Sequence, residues 1–201
     1  RTRFLDTAVF ISDEFMKRVQ GGQDWYLFDS AEVSDLNELY GEAFSRRYQE
    51  YIKLAEAGKI NRFEVVPARQ QFRQILSSLQ ATGHPWLTWK DAINLRALNN
   101  NTGTIHLSNL CTEITLPEDE HNIATCNLVS MNLSAFLNAD KTWDWDRLAV
   151  SVRSATRQLD NLIDITNTPV TEAMHSNEQN RALGLGYMGL SDVLEKLEIS
   201  Y

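Results

Sequence analysis

Apolar residues recur at helical spacing along much of the chain, so the pattern predicts a mainly helical protein. Ser12 or Asp13 is expected to cap a first helix that runs to Val19. A longer amphipathic helix is predicted over residues 33–57, with Gly58 as its C-terminal cap.

A further helix is predicted to begin after Pro67 and to end at Gly83. Helices are also predicted over residues 89–98, 143–166 and 178–197. The apolar side of the helix over 143–166 is expected to face inward; its members are Trp145, Leu148, Val152, Leu159 and Leu162.

Strand patterns are fewer and shorter. Residues 4–11 and 25–28 form short apolar runs, and residues 102–133 are rich in Thr, Ile, Leu and Val. Within that central stretch, residues 124–133 are typical of a buried strand that passes into a loop. The pattern therefore indicates an α/β protein in which helices dominate and the central strands carry the reactive groups described below.

Composition indicates an ordinary folded domain. The chain has 201 residues, 43% of them apolar and 23% charged, and no internal repeat or linker is evident, so residues 1–201 are expected to form a single unit. The net charge is −8, without a clustered basic face, which argues against a nucleic-acid polymer as partner. A nucleotide substrate remains compatible, because it needs only a local phosphate site.

The chain lacks the sequence features of membrane insertion and export. No apolar run approaches the roughly 18 residues of a membrane span, and Arg1 and its neighbours are not followed by a signal-peptide core. Two cysteines do not make a disulfide framework, so a reducing, cytoplasmic location is expected. Since the first residue is not Met, we expect a segment of a longer protein.

Residues 109–113 combine an amide, a thiol and a carboxylate at alternate positions. The hydroxyl-rich run before them and Pro117 after them predict an extended segment, in which Asn109, Cys111 and Glu113 would project from one side. From spacing alone, a hydrogen-bonded structural cluster is favoured over a catalytic set. Glu113 is either a solvent-facing carboxylate or a general base, and Asn109 either satisfies backbone groups or contacts a substrate.

The two cysteines are Cys111 and Cys126. A lone cysteine is usually a small buried apolar side chain. Their shared location in the strand-rich centre favours redox or nucleophilic chemistry.

Two other patterns are assigned structural roles. Residues 184–189 match G-x-G-x-x-G, but a polar segment precedes them instead of a strand, so we expect glycines that permit close helix packing. Two Glu-x-x-His pairs, Glu118 with His121 and Glu172 with His175, lack the helical setting of a di-iron bundle and are interpreted as surface residues.

Three blocks in this order resemble the catalytic (large) subunit of ribonucleotide reductase: SNLCTEI at residues 108–114, ATCNLVSMNL at 124–133 and ALGLGYMGL at 182–190. Residues 83–91 also resemble that family, and the similarity extends over essentially the whole chain.

The resemblance implies a fragment of a ten-stranded α/β barrel whose central finger loop, near residues 108–114, presents a radical cysteine. Cys111 would carry a thiyl radical that removes the 3′-hydrogen of the substrate ribose, and Glu113 would accept the 3′-hydroxyl proton. Asn109 would orient the sugar hydroxyls with Ser108 as a further substrate-binding residue, and Cys126 would be one of two cysteines that reduce the 2′ position.

The resemblance also implies partners. The radical would come from a metal-containing small subunit or from adenosylcobalamin, a thioredoxin- or glutaredoxin-type protein would supply electrons, and this segment itself would bind no cofactor or metal. The family's second redox cysteine, its relay tyrosines and its phosphate-binding loop have no counterpart here, so we expect no turnover without the remaining segments of the subunit. A non-catalytic helical interaction module and a degenerate remnant of the enzyme are the alternatives.

Overall fold

The computed structural model describes residues 5–201, and the chain divides into two compact units. The first unit ends at Glu118, and the second spans Asp119–Tyr201. The expectation of a single unit over the chain stays a prediction. The start of the predicted first strand, at Phe4, lies outside the described residues.

The first unit alternates short strands with helices. Its elements are β1 (Ala8–Ile11), α1 (Asp13–Gly21), β2 (Asp24–Phe28), a 3₁₀ turn (Ser34–Glu38), α2 (Gly41–Glu56), β3 (Phe63–Pro67), α3 (Ala68–Thr82), β4 (Trp86–Trp89) and α4 (Lys90–Arg96). Strand β1 pairs in parallel with β4, and β2 pairs antiparallel with β3. The mixed α/β character expected from the sequence is therefore confirmed.

Capping residues set several helix ends as predicted. The Ser12 hydroxyl accepts a hydrogen bond from the Phe15 amide at 3.2 Å, which confirms Ser12 as the cap of α1. Helix α3 begins directly after Pro67 and ends at Gly83, whose φ of 76° is left-handed. Gly58, just after α2, has a φ of 68°.

The single helix predicted over residues 33–57 is wrong at its start. The segment begins as the 3₁₀ turn, becomes extended at Leu39 and Tyr40, and only then enters α2. A tertiary contact explains the break: the buried Asp91 carboxylate accepts hydrogen bonds from the Gly41 amide at 2.6 Å and the Asp13 amide at 2.5 Å. One carboxylate thus fixes the start of both α1 and α2, which sequence periodicity does not reveal.

The core of the first unit is aromatic. Tyr48 is 1% exposed, stacks on Trp25 with ring centroids 4.3 Å apart, and exchanges hydrogen bonds with the backbone of Tyr26. Its hydroxyl accepts from the Tyr26 amide at 2.6 Å and donates to the Tyr26 carbonyl at 3.0 Å. This side chain ties α2 to strand β2.

The second unit contains β5 (Asn127–Asn132), a 3₁₀ turn (Leu133–Phe136), α5 (Trp145–Ile165), α6 (Thr171–Asn180), β6 (Leu183–Met188) and α7 (Leu190–Leu197). Strands β5 and β6 pair in parallel, with Asn127 opposite Leu183. A parallel pair needs a long crossover connection, and α5 and α6 supply it.

The helix predicted over residues 178–197 is confirmed only in its last part, as α7, and is wrong over residues 183–188, where the chain forms a strand. Leu183, Leu185 and Tyr187 alternate with smaller residues at the two-residue period of a strand. The glycines at 184 and 186 therefore lie on a strand, and the expectation that they assist helix packing is wrong.

The inward face predicted for helix α5 is confirmed in part. Leu159 is buried and Leu148 and Val152 are half-buried, whereas Trp145, at 63% exposure, and Leu162, at 43%, were wrongly predicted to face inward. Strand β5 alternates half-buried and exposed residues, so it is only partly the buried strand that was expected. No helix in the described part of the chain combines the length and the apolar character needed to cross a membrane.

Candidate active site

Residues 109–113 form a turn, and the extended conformation predicted for them is wrong. The Thr112 amide donates to the Asn109 carbonyl at 3.0 Å, the bond that closes a four-residue turn. Thr112 itself has a φ of 63°, a left-handed conformation that a β-branched residue seldom adopts. The side chains of residues 109, 111 and 113 therefore do not follow the strict alternation of a strand.

Two further hydrogen bonds close residues 108–114 into a loop, called here the turn loop. The Ser108 hydroxyl donates to the Ile114 carbonyl at 2.7 Å. The Ile114 amide donates to the Asn109 side-chain oxygen at 3.1 Å. Both ends of the turn loop are thus joined by side chains that the sequence analysis assigned to substrate binding.

Asn109 and Glu113 are in direct contact. The Asn109 amide nitrogen donates to Glu113 Oε2 at 2.7 Å, while its oxygen accepts from Ile114. The Glu113 carboxylate is exposed but held at one oxygen, which leaves its second oxygen available to a ligand. Cys111 lies between them in sequence and is exposed, as is Leu110, at 71%.

The arrangement combines the structural and the chemical interpretations of this motif. The Asn109 side chain stabilises the turn, as a structural residue would, and the same contacts bring an amide and a carboxylate together on the turn that carries the exposed Cys111. A fixed carboxylate is suited to accept a proton from a bound hydroxyl group, provided that the hydroxyl comes within hydrogen-bond reach.

The segment leading into the turn loop is anchored by Asn94, a residue that the sequence analysis missed. The Asn94 side chain accepts from the Ile105 amide at 2.8 Å and donates to the Ile105 carbonyl at 3.0 Å. It also donates to the Lys90 carbonyl at 3.0 Å. Asn94 is 2% exposed and Ile105 is fully buried. A polar residue on a short helix gives no sequence signal that its partner lies eleven positions later.

Two more contacts hold the same segment. The Thr104 hydroxyl donates to the Glu38 carbonyl at 2.9 Å, and His106 Nε2 lies 3.3 Å from a Glu38 carboxylate oxygen. The backbone is therefore fixed on both sides of Ile105, three residues before the turn loop begins.

Cys126 belongs to the second unit, where it immediately precedes β5 and is half-buried. The neighbouring Asn127 is held firmly. Its amide donates to the Ala182 carbonyl at 3.1 Å, and its side chain donates to Asn177 Oδ1 at 2.9 Å. Since Asn177 is 3% exposed, this network fixes the backbone next to the sulfur.

The two Glu-x-x-His pairs occupy different settings. Glu118 and His121 lie in the loop before β5, and Glu172 and His175 lie on α6. Within residues 5–201, no group of three or more His, Cys, Asp or Glu side chains is arranged to hold a metal ion.

A cavity of about 420 Å³ opens in the first unit, away from the turn loop. Aromatic residues including Trp25 and Tyr48 line it together with the buried Lys90 and with His106. Burial lowers the pKa of Lys90 from its ordinary value. None of residues 108–114 lines this cavity.

The similarity to known proteins extends over the whole chain. A family model described as "Ribonucleotide reductase, barrel domain" matches residues 1–201. The chain is 43% identical over 201 residues to the ribonucleoside-diphosphate reductase subunit alpha of Chlamydia muridarum, covering all of this chain and 19% of that protein.

Proteins of the same kind from other organisms are similar to this chain as well. The chain is 39% identical over 192 residues to the ribonucleoside-diphosphate reductase large subunit of Caenorhabditis elegans, covering 96% of this chain and 24% of that protein. It is 36% identical over 202 residues to the large chain of Neurospora crassa, covering 100% of this chain and 21% of that protein. The chain thus spans about a fifth to a quarter of the length of these curated relatives.

Proposed function

The chain belongs to the ribonucleotide reductase barrel-domain family, and from that premise we propose that it is a catalytic segment of a ribonucleoside-diphosphate reductase. Its relatives carry that name. The proposed reaction replaces the 2′-hydroxyl of a ribonucleotide by hydrogen, and the turn loop serves as the finger loop that presents the reacting groups.

The contact between Asn109 and Glu113 is the observation that supports this proposal best. It joins an amide and a carboxylate at 2.7 Å on the turn that exposes Cys111. Radical and proton chemistry on one sugar needs both groups fixed beside the same thiol. The hydrogen bonds of Ser108 and Asn109 to Ile114 restrict the loop in the same way.

In the proposed first step, a thiyl radical at Cys111 takes the 3′-hydrogen atom of the ribose, so that an S–H bond forms as the C–H bond breaks. Glu113 accepts the 3′-hydroxyl proton through its second oxygen. Asn109 orients the sugar hydroxyls, and Ser108 contributes to substrate binding through the loop that its hydroxyl closes.

In the proposed reduction, the 2′-hydroxyl leaves as water. Cys126 and a second thiol from elsewhere in the subunit supply two electrons and two protons and become a disulfide. Cys111 then returns its hydrogen atom to the 3′ carbon, and Glu113 returns the proton to the 3′ oxygen. A thioredoxin- or glutaredoxin-type protein restores the two thiols.

The radical is proposed to come from outside this segment, from a metal-containing small subunit or from adenosylcobalamin. The remaining segments of the large subunit are proposed to cover the exposed thiol, since a radical must be shielded from water. On the same reasoning, the 201-residue chain alone should not turn over.

The test is nucleotide reduction by the complete large subunit that contains this segment, supplied with its radical source and a dithiol. Cys111→Ser and Cys126→Ser should each abolish deoxynucleotide formation. Glu113→Gln should lower kcat by at least about 100-fold, the usual contribution of a positioned base. Leu107→Ala, at an exposed position just before the turn loop, is the matched control and should retain activity.

Wild-type activity in Cys111→Ser would refute the proposed role of the turn loop. Robust reduction by the isolated 201-residue chain would refute the dependence on the remaining segments. If Cys126→Ser retained activity while the other variants behaved as expected, only the proposed redox role of Cys126 would be refuted.

A further inference from the structure

Gly184 lies beside the sulfur of Cys126. It is on β6, opposite Leu128 of β5, in a parallel register. A Cβ atom added at Gly184 would lie 3.3 Å from Cys126 Sγ and 2.3 Å from Leu128 Cδ2. The missing side chain therefore leaves a space that these two side chains border.

The requirement for glycine here concerns space and not backbone conformation, because Gly184 is not among the positive-φ glycines of the described chain. The Leu128 and Cys126 side chains differ in how easily they can move away from a methyl group added at position 184. Leu128 is 59% exposed, and the end of its flexible side chain can rotate away. The Cys126 sulfur is one bond from its Cβ, and the backbone beside it is held by Asn127 and Asn177.

Gly186 provides an internal comparison on the same strand. A Cβ atom at Gly186 would meet only Ser130 Oγ within 4 Å, at 3.7 Å, an ordinary van der Waals contact. A methyl group should therefore be accommodated at position 186 and should crowd the sulfur at position 184.

We propose that Gly184 is a positioning residue for Cys126, whose bare Cα keeps one side of the sulfur open to an incoming reaction partner. The inference rests on the proposed redox role of Cys126. A disulfide requires the Cβ atoms of its two cysteines to come within about 3.5–4.5 Å of each other. A methyl group in contact with the sulfur competes for that space.

The experiment measures alkylation of Cys126 by iodoacetamide, in which the thiolate forms a C–S bond and iodide leaves. In the 201-residue chain, a Cys111→Ser background makes Cys126 the only thiol. Gly184→Ala should lower the second-order rate about fivefold, corresponding to about 1 kcal/mol, the low end of overpacking effects. Gly186→Ala should react at the background rate. A Gly184→Ala rate equal to or above the background overturns the proposal.

A pH series separates access from ionisation, because reduced access lowers the rate at every pH without moving the midpoint of the profile. The same variants in urea should alkylate at one common rate. An unfolded Gly184→Ala protein would show that common rate without urea as well; such a result counts against the proposal, which requires the variant to fold by rotation of Leu128.

A double variant identifies which contact slows the alkylation of Cys126 in Gly184→Ala. Leu128→Ala removes the neighbour that a methyl at 184 approaches most closely. Slow alkylation should persist in Gly184→Ala/Leu128→Ala, because the methyl still touches the sulfur. A return to the background rate would assign the effect to Leu128 and overturn the proposal.

Activity measurements keep the two hypotheses distinct. Full reductase activity in Cys126→Ser, together with slow alkylation in Gly184→Ala, would refute the redox role and leave the packing result intact. An inactive Cys126→Ser, together with unchanged alkylation in Gly184→Ala, would refute the positioning role alone.

Discussion

Replacing Asn94 by alanine should destabilise the first unit and loosen the turn loop. The Asn94 side chain satisfies both backbone groups of the fully buried Ile105, at 2.8 and 3.0 Å. Alanine removes these partners without replacing them. Each buried backbone group left unsatisfied costs about 1–3 kcal/mol, so the expected loss for the two groups is about 2–6 kcal/mol in the free energy of unfolding.

Urea unfolding followed by circular dichroism measures this loss. With a slope of about 2 kcal/mol per molar urea, the midpoint should fall by about 1–3 M. Hydrogen exchange gives a local measurement, since the Ile105 amide should lose protection in Asn94→Ala. Protection of residues 108–114 should fall with it, because Ile105 anchors the segment that enters the turn loop.

Asn61→Ala is the matched control in the same unit, because residue 61 is exposed. Its midpoint should stay close to wild type. An unchanged midpoint in Asn94→Ala, with the Ile105 amide still protected, would show that the buried asparagine is not the anchor that its contacts indicate.

Three further changes test other contacts. Tyr48→Phe removes the hydroxyl that bonds both backbone groups of Tyr26 and should cost about 1–3 kcal/mol in urea unfolding; a loss near zero would contradict this. A hydrogen bond from Tyr51 holds the pKa of Asp35 below its ordinary value of 3.8. The ionised Asp35 carboxylate therefore stabilises the fold at pH values above 3.8, and this contribution is lost as the pH falls through the pKa of Asp35 in the folded state. Asp35→Asn should therefore flatten the acid side of the stability–pH curve, and an unaltered curve would exclude the linkage. Thr112→Gly should retain reductase activity in the complete subunit, whereas Thr112→Pro should abolish it, because proline cannot adopt a φ of 63° or donate the hydrogen bond that closes the turn; equal activities would rule out a required turn.

Local signals in the sequence predicted several features correctly. Ser12 caps α1, and Pro67 and Gly83 bound α3, because caps and breakers act within a few residues. The motif at residues 109–113 also identified two side chains that do contact each other. That contact arises from a turn and not from the strand alternation used to predict it.

Features that depend on distant partners could not be predicted from local pattern. The break before α2 depends on Asp91, fifty positions after Gly41. Strand β6 has a two-residue alternation over only a few positions, and its pairing with β5, more than fifty positions earlier, stabilises it as a strand. The roles proposed for Ser108, Cys111 and Cys126 remain predictions that the variants described above address.

The pairing of β5 with β6 has a consequence for handling the protein. In the described part of the chain this sheet has two strands, so both of its outer borders present backbone amides and carbonyls. Leu128 and Tyr187 add apolar surface on the same sheet, at 59% and 63% exposure. Such borders recruit strands from other molecules. Recombinant preparations of these 201 residues alone should therefore self-associate as concentration rises, and Tyr187→Lys should improve the soluble yield.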